Sequence, residues 1–467
     1  MELKKIAELL KNWNNAEANK IEILPASGSS RKYCRVYYNN TTILAAFNEN
    51  VDENEAYFSF TKSFLECNIP VPKVEYISAD RKAYLVEDLG DESLYNLVVP
   101  SAGVLNDKVV EYYKKALNYL VKMQVLANKT IDYKLCYPVS KFNDDSIQWD
   151  LNYFKYNYLK LAKVEFNEYL LEKDFKKLKK YLLSFSMNYF MFRDFQSRNI
   201  IIKDNDTYFI DFQGGRKGPL TYDVASLLFQ AKAMLPKLLK EELFDYYYKE
   251  LSKTINVEPK GLIYSFKSFA LLRTMQVLGA YGYRGYFEKK PHFIESIPFA
   301  IHNLIELLND SNFPVELPHL KSIINSLEGP KNNLFEATDK LTVSITSFSY
   351  KKGLPVDPSE NGGGYVFDCR SIHNPGRYEQ YKTLTGKDKP VIEFFEKEDE
   401  MEHFLEHIFK LVNRSVEVYQ NRNFKHLMVS FGCTGGQHRS VYSAERLSKH
   451  LKEKYDLNIL LWHREQD

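Results

Sequence analysis

Asp194, Asn199 and Asp211 carry the side chains of this sequence that are best suited to chemistry. Mg²⁺ binds a few carboxylate or amide oxygens together with the phosphates of a substrate. One further carboxylate is needed to accept or orient the proton of an attacking hydroxyl group. These residue types therefore predict phosphoryl transfer, as long as the fold brings the three side chains together.

A β-hairpin is the element that is predicted to bring them together. The apolar runs 200–202 and 208–210 flank Asp-Asn-Asp at 204–206, which is a strong turn sequence. With the turn centred on Asn205, an antiparallel hairpin returns Asp211 to the side of Asn199. Asp194 lies on the loop that enters the hairpin. Turn capping and strand ending are the alternative roles of such Asp and Asn residues.

The elements around this hairpin divide the chain into predicted domains. Residues 1–90 combine helices with short strands, and residues 91–328 read as largely helical. GPKNNLFEAT at 329–338 has the composition of a linker. Residues 339–467 alternate apolar strands with helices, which indicates a small α/β unit. The predicted fold class is α/β, with an α+β first part.

Composition excludes several classes of protein. Among 467 residues, 44% are hydrophobic and 27% are charged, which excludes wholesale disorder. A net charge of +2 gives no overall attraction to nucleic acid or to an anionic membrane. Five cysteines without a CxxC pair argue against a disulfide framework, and no apolar stretch is long enough to span a membrane. A cytoplasmic protein is expected.

A second group of residues near the C-terminus indicates an anion site. SFGCTGGQHRSVYSAERL, at 430–447, follows an apolar strand and opens a helix whose N-terminus at Ser440 presents free N–H groups. Gly435 and Gly436 permit close approach of the backbone, Arg439 offers a bidentate fork for phosphate, and His438 offers a second donor. A glycine-rich turn with a solvated arginine is the structural alternative.

A cysteine phosphatase is another reading of the same segment. Cys433 and Arg439 satisfy the C-x5-R-S spacing, in which a helix N-terminus activates the thiol as a nucleophile. No general-acid loop is readable from the sequence, and cysteine is more often a small buried residue.

FRDFQSRN followed by FIDFQ resembles the catalytic loop and metal-binding segment of the aminoglycoside phosphotransferase and choline kinase family. The wording RDFxSRN, IDFQ, GP and YDVASLL is most similar to bacterial anomeric kinases of N-acetylmuramate or N-acetylglucosamine. The resemblance covers residues 1–328 and implies a bilobal protein-kinase-like fold that uses ATP and Mg²⁺. It implies that Asp194 is the catalytic base, that Asn199 and Asp211 hold the metal, and that Asp223 is a structural carboxylate anchoring the catalytic loop.

The same resemblance implies a nucleotide site in the first 90 residues. SGSSRKYCRV resembles the nucleotide-covering loop, and YLVEDLGDESL resembles the hinge whose backbone pairs with adenine. The implied nucleotide-binding residues are Ser27, Gly28, Ser29, Ser30, Glu87, Asp88 and Leu89. Two departures stand out: Phe192 replaces the usual His, and the strand TTILAAF lacks the phosphate-binding Lys of protein kinases. Arg31 or Lys32 is the expected substitute for that lysine.

YVFDCRSIHNP, LTGKDKPV and GCTGGQHRSV resemble the C-terminal domain of the RNase adaptor protein RapZ. In that family the domain senses glucosamine-6-phosphate and binds small regulatory RNA. The family's own Walker-type motif is missing here, so the resemblance carries sugar-phosphate binding to this loop more directly than RNA binding. The implied contacts with a phosphorylated sugar are Thr434, Gly435, Gly436, His438, Arg439, Ser440, Asp368, Arg370 and Asn374.

The sequence thus predicts an ATP- and Mg²⁺-dependent kinase of a small-molecule hydroxyl group, in particular that of an amino sugar, with a C-terminal domain that binds a phosphorylated sugar. The alternative is a regulatory adaptor, in which a pseudokinase carries a domain that senses a sugar phosphate or binds RNA. The sequence leaves the sugar, the phosphorylated position and the oligomeric state open.

Overall fold

A computed structural model describes residues 2–25, 31–99, 105–327, 340–355 and 363–466. The chain divides into two compact units, of which the first comprises Met1–Tyr283 and Phe299–Ile324 and the second comprises Arg284–Pro298 and Asn325–Asp467. The predicted linker at 329–338 lies outside the described residues.

The first unit begins with an antiparallel sheet. Its order is β1-β2-β3-β5-β4, and a helix before and a helix within the strand series accompany it. The alternation of buried and exposed side chains along β2 and β3 places Cys34, Val36, Ile43 and Ala45 in one core with Ile6, Leu9 and Leu10 of α1. The elements are α1 (Glu2–Asn14), β1 (Lys20–Ile23), β2 (Lys32–Tyr38), β3 (Thr41–Phe47), α2 (Val51–Glu66), β4 (Val74–Ile77) and β5 (Ala83–Glu87).

The rest of the first unit is mainly helical, with two small antiparallel strand pairs, β6 with β9 and β7 with β8. Its elements are α3 (Leu94–Val98), α4 (Asp107–Val125), α5 (Asp144–Phe154), α6 (Glu168–Leu182), β6 (Tyr189–Met191), β7 (Ile200–Lys203), β8 (Asp206–Phe209), β9 (Arg216–Gly218), α7 (Thr221–Leu228), α8 (Lys237–Ser252), α9 (Pro259–Gly282), α11 (Ile297–Leu308) and α12 (Pro318–Ser326). A shorter helix, α10 (Pro291–Ile294), belongs to the second unit.

The β7–β8 hairpin forms as predicted, but with a different register. Lys203 pairs with Asp206, so the turn consists of Asp204 and Asn205 alone, and both have positive φ, at 52° and 57°. Two successive residues with positive φ are typical of a type I′ turn, which matches the twist of a hairpin. The register therefore aligns Asn199 with the residue before Asp211, and the expectation of a turn centred on Asn205 is wrong by one residue.

The second unit contains a parallel sheet in the order β11-β12-β10-β13. Aliphatic side chains of β10 and β12, such as Ile345 and Val429, form its core with Leu405 and Leu447 of the covering helices. The elements are β10 (Thr342–Ser349), β11 (Tyr365–Asp368), α13 (Lys389–Glu396), α14 (Asp399–Asn421), β12 (His426–Cys433), α15 (Arg439–Lys454) and β13 (Asn458–His463).

The predicted fold class is confirmed: a strand-rich part and a largely helical part are followed by a small α/β domain. Among the described residues, none of the helices combines the length and the apolar character that a membrane crossing requires.

Candidate active site

The loop that carries Asp194 is held in place by a carboxylate beneath it. Asp223 on α7 is fully buried and accepts hydrogen bonds from the backbone N–H groups of Phe192, at 2.7 Å, and Arg193, at 2.9 Å. Burial raises the pKa of Asp223 to about 7, while the two N–H donors oppose this shift. Phe192, which replaces the usual His, is also buried and packs against the rings of Phe195 and Phe212.

Replacing Asp223 with Asn is expected to lower the free energy of unfolding by about 1–3 kcal/mol, because the new amide group opposes one buried N–H donor. The free loop then loses its fixed position, so kcat also falls. Asp174→Asn is the matched control, since Asp174 likewise accepts two backbone N–H groups, those of His319 and Leu320, away from this loop. Thermal unfolding and turnover are measured together; a D223N protein that is destabilised like D174N but turns over normally contradicts the anchoring role.

Arg193 fixes the loop from the side of the helical lobe. Its φ is +80°, and its guanidinium forms a bidentate pair with Asp150 on α5, at 2.6 and 3.0 Å. The same group lies over the rings of Phe142 and Tyr222, with 5.2 and 5.1 Å to the centroids. The Arg193 side chain is therefore used in contacts within the protein, whereas the side chain of Asp194 is partly exposed to solvent.

Asp194 combines a fixed position with access to a substrate. One carboxylate oxygen, Oδ1, accepts a hydrogen bond from Nη2 of Arg273 at 2.9 Å, and the side chain is 46% exposed. Enclosure by the protein acts to raise the pKa of Asp194, but the positive charges of Arg273, Arg193 and Arg198 outweigh it and lower the pKa. Asp194 is therefore ionised and oriented, as a hydroxyl-binding carboxylate must be.

Asn199 and Asp211 lie together at the open end of the hairpin. The side-chain amide of Asn199 donates to the backbone carbonyl of Asp194 at 2.8 Å, and the backbone carbonyl of Asn199 accepts the N–H of Ile210 at 3.0 Å. Asp211 follows Ile210 directly, is exposed, and has a φ of +66°, a left-handed conformation that Asp adopts more readily than most residues. The structure therefore brings the predicted pair to one place beside Asp194.

The electrostatics of this place favour a cation. Although Asp211 is exposed, the surrounding protein displaces part of the water from its carboxylate; this desolvation, and then the nearby charge of Asp194, raise the pKa of Asp211. Gln213 donates to Oδ1 of Asp211 at 2.7 Å and offsets the repulsion only in part. Among the described residues there is no cluster of three or more His, Cys, Asp or Glu side chains suited to a metal ion. An ion held here would use one carboxylate, one amide oxygen and the oxygens of a phosphate.

The expected nucleotide site is seen only in part. Ser27, Gly28, Ser29 and Ser30 lie outside the described residues. At the expected hinge, the Glu87 N–H donates to the carbonyl of Lys73 at 2.9 Å, so it is not available to adenine. Asp88 accepts a hydrogen bond from Arg35 Nε at 2.6 Å, which ties the hinge to β2, and Leu89 is buried.

The sequence did not reveal the partners that hold these residues. Arg273 lies within the apolar run FALLRTMQVL of α9, and a lone cation in such a run is the signal that points to a buried ion pair. Gln230 accepts hydrogen bonds from the backbone N–H and hydroxyl group of Ser197, at 3.0 and 2.6 Å, and so fixes the other end of the loop.

A cavity of about 880 Å³ lies in the first unit, and both polar and apolar residues line it, among them Lys134, Ser140, Lys141, Val139 and Lys217. Phe142 connects the wall of this cavity to the loop that carries Asp194, because it donates its N–H to the carbonyl of Lys217 at 2.7 Å and its ring lies against the guanidinium of Arg193. The volume and lining suit a small polar ligand.

In the second unit, the glycine-rich loop follows β12 at the carboxyl end of the parallel sheet. Asp368 is in register with Gly432, and Ser349 with Cys433, so the ends of three neighbouring strands meet there. Thr434 and Gly435 are exposed on this edge. Gly436 has a φ of +70°, and a Cβ atom at this position would lie 2.3 Å from Glu465 Cγ, so a residue with a side chain does not fit.

Two of the side chains predicted to bind phosphate at this loop donate hydrogen bonds to backbone carbonyls of the protein. Arg439 is buried and donates to the carbonyls of Arg370 and Ile372, at 2.9 and 2.8 Å. His438 Nε2 donates to the carbonyl of Tyr381 at 2.8 Å. In this structure both side chains bind backbone carbonyls of the neighbouring segment, and their contact with a phosphate stays a prediction.

Of the remaining residues predicted to bind the phosphorylated sugar, some contact other parts of the protein and others are exposed. Ser440 is buried against the Cys433 sulfur, at 3.2 Å, and Asn374 accepts the N–H of Gly376 at 3.2 Å. Asp368 and Arg370 form an exposed pair, with Arg370 Nη2 at 2.7 Å from Asp368 Oδ2 and the guanidinium 4.0 Å from the centroid of the Tyr350 ring. The exposed part of the site thus consists of the loop backbone and this pair.

Comparison with known proteins agrees with both halves. Residues 20–252 match the profile of the phosphotransferase enzyme family, and residues 341–467 match that of the RapZ C-terminal domain. A nucleotide-binding protein of Acinetobacter baylyi is 32% identical over 183 residues, which are 38% of this chain and 62% of that protein. A nucleotide-binding protein of Hahella chejuensis is 39% identical over 128 residues, 27% of this chain and 43% of that protein. The chain spans less than two thirds of the length of these curated relatives.

Among solved structures, the amicoumacin kinase hAmiN in complex with AMP-PNP, Ca²⁺ and Ami is similar, with a TM-score of 0.49 and 11% identity over 68% of this chain and 96% of that one. The choline kinase of Cryptosporidium parvum gives a TM-score of 0.47 and 13% identity, over 69% and 99% of the two chains. On the two profile matches, the chain joins a domain similar to the phosphotransferase enzyme family, at residues 20–252, to a domain similar to the RapZ C-terminal domain, at residues 341–467.

Proposed function

We propose that this protein transfers the γ-phosphoryl group of ATP, with Mg²⁺, to a hydroxyl group of a small amino sugar of the N-acetylmuramate or N-acetylglucosamine kind. The observation that carries the proposal is the meeting of Asp194, Asn199 and Asp211 at the open end of one hairpin, on a loop anchored by Asp223.

The residues present fit a divalent cation and a triphosphate. The Asn199 amide nitrogen is used by the Asp194 carbonyl, which leaves the amide oxygen as a ligand, and Asp211 adds a carboxylate whose charge the protein compensates only in part. Bound Mg²⁺·ATP supplies the transferable phosphoryl group and neutralises the charge that develops on it.

Asp194 is the proposed catalytic base. Arg273 holds Oδ1, so Oδ2 is the oxygen that receives or orients the proton of the sugar hydroxyl. Because the Arg273 guanidinium lowers the pKa of Asp194, the carboxylate is ionised at neutral pH and can accept the proton of the substrate hydroxyl group. Arg273 is a positioning residue, since it acts through Asp194.

Two features support an amino sugar as the substrate: the amino-acid sequence of the loop that carries Asp194, and the cavity lined by residues of the segment 132–143 and by Lys217. RDFQSRN and IDFQ are the segments that resemble the anomeric amino-sugar kinases. The lining of the cavity includes hydroxyl and ammonium groups, such as those of Ser140 and Lys141, which can bind the hydroxyl groups of a sugar. A cytoplasmic location is part of the proposal, because all five cysteines are free thiols, which suits a reducing compartment.

Coupled measurement of ADP formation, with a panel of amino sugars, neutral sugars, choline and aminoglycosides, tests this function. We expect turnover that depends on Mg²⁺ and is fastest with an N-acetylated amino sugar. Turnover with choline or an aminoglycoside alone contradicts the choice of sugar. Absence of turnover with every acceptor, together with tight RNA binding, supports the regulatory adaptor instead.

For the second unit we propose binding of a phosphorylated sugar at the exposed edge formed by the loop after β12, Asp368 and Arg370. Arg370→Met is expected to weaken binding of glucosamine-6-phosphate to the full chain by about ten- to a hundredfold, because it removes a charge-assisted contact. Arg422→Met, at the exposed end of α14 just before β12, is the control. Equal affinities of the R370M and wild-type chains in isothermal titration contradict this site.

The cysteine-phosphatase reading is tested with the same preparation. Cys433 is buried, and its sulfur accepts the N–H of Gly436 at 3.2 Å. Release of phosphate from a sugar phosphate that stops on Cys433→Ser would support that reading, and release that survives the substitution would reject it.

A further inference from the structure

Arg31 is a buried cation in the strand-rich lobe for which the proposed reaction does not yet account. Only 3% of the residue is exposed, although it lies just before β2. Its guanidinium is 3.2 Å from a carboxylate oxygen of Glu53 and donates to the Tyr33 hydroxyl group at 3.3 Å. A buried arginine is costly unless its charge is compensated, so this position is specified by its surroundings.

Glu53 is held firmly in the first turn of α2. Asn50 caps this helix by accepting the N–H of Glu53 at 3.1 Å, and Asn48 donates to the Glu53 carboxylate at 2.8 Å. Asn48 is itself fixed, because it also contacts Asn54 at 3.1 Å. The carboxylate that faces Arg31 therefore has a defined position.

Two aromatic rings connect this ion pair to the proposed metal site. The Arg31 guanidinium lies 5.7 Å from the centroid of the Tyr57 ring, and Tyr57 stacks on Phe212, with 4.9 Å between centroids. Phe212 directly follows Asp211. Arg31 is thus connected through two rings, those of Tyr57 and Phe212, to the residue next to Asp211, the proposed metal ligand.

β3, with the sequence TTILAAF, offers no lysine, and Lys32 is exposed. From these positions we infer that Arg31, oriented by Glu53, binds the polyphosphate of the nucleotide and takes the place of the lysine–glutamate pair found in protein kinases. This inference rests on the proposed function, since it assigns a ligand contact within the same site. A guanidinium suits the role, because its planar fork matches two phosphate oxygens at once. Glu53 is then a positioning residue.

Binding of ADP and of adenosine to the full chain, by isothermal titration with Mg²⁺, tests the inference without turnover. Arg31→Met is expected to weaken ADP binding by about ten- to a hundredfold and to leave adenosine binding unchanged. Arg31→Lys is expected to keep part of the wild-type preference for ADP over adenosine, and Glu53→Gln is expected to lose part of that preference. Arg81→Met is the matched control, because Arg81 pairs with Glu55 of the same helix, with Nη2 at 2.7 Å from Oε2, and has no such link to Phe212.

The ratio of the two affinities separates a phosphate contact from a structural role, because a distorted lobe weakens ADP and adenosine together. An R31M chain with the wild-type ratio overturns the inference while the proposed function stands. If R31M does not fold, wild-type ratios in both R31K and E53Q overturn it. A wild-type chain that binds neither ADP nor ATP overturns the proposed function and this assignment with it.

Discussion

Replacing Asp194 with Asn is expected to lower kcat by about 10²–10⁴-fold, the usual contribution of a positioned acid or base. The substitution keeps the size of the side chain and an oxygen for the hydrogen bond from Arg273, but it removes the group that accepts the proton. The fold and the affinity for Mg²⁺·ADP are therefore expected to stay unchanged, and the loss is confined to the chemical step.

Asp145→Asn, in the exposed first turn of α5, is the control for this change of charge. Single-turnover rates and ADP binding are measured on both variants with the best acceptor from the panel. A D194N chain that turns over at the rate of the D145N chain contradicts the role of Asp194 as base. Loss of ADP binding in D194N would instead show that the residue supports the nucleotide.

Replacing Asp211 with Asn is expected to reduce kcat/KM by about 10²–10³-fold and to raise the Mg²⁺ concentration needed for half-maximal rate. Charge stabilisation by a bound metal is worth several kcal/mol, and about 1.4 kcal/mol corresponds to a factor of ten. The substitution also removes the carboxylate that repels Asp194, so the free chain is expected to unfold no more easily than the wild type.

Asp204→Asn in the turn of the same hairpin is the matched control, since Asp204 is on the same hairpin but at its opposite end. Rates are measured over a range of Mg²⁺ concentrations in all three chains. An unchanged Mg²⁺ dependence in D211N contradicts the assignment of this residue as a metal ligand.

The candidate site could be predicted from the sequence because its residues are local. Asp194, Asn199 and Asp211 fall within eighteen positions around one turn, and the turn residues and apolar runs alone predict a hairpin. The register was wrong by one residue, since alternation identifies the strands but not whether a turn contains two residues or three. The two-residue turn became visible only through the positive φ of Asp204 and Asn205.

The supporting residues could not be predicted, because their partners lie far away in the sequence. Arg273 reaches Asp194 across 79 positions, and Arg193 reaches Asp150 across 43. Pairing over such distances depends on how helices α5 and α9 pack, and no local spacing encodes it. The hydrophobic periodicity of a helix identifies its buried face, but it does not identify the charged residue of another element that packs against that face.

In the second unit, the glycine-rich loop after β12 could be predicted from the sequence, but the partners of its side chains could not. Arg439 has the residue type and spacing of a phosphate fork, yet its guanidinium is used by two backbone carbonyls. An arginine serves equally well for an anion and for carbonyl groups that the fold leaves without donors. The sequence cannot distinguish these uses, because the carbonyls belong to a segment about 70 residues earlier.

The most direct test is a crystal structure of the full chain with Mn²⁺ and a non-hydrolysable ATP analogue, in which anomalous scattering locates the metal. The expected result is a Mn²⁺ ion within about 2.5 Å of Asn199 Oδ1 and an Asp211 carboxylate oxygen, bridging phosphates whose terminal group faces Asp194. Mn²⁺ and nucleotide bound together at a place that Asn199 and Asp211 do not touch would contradict the proposed reaction.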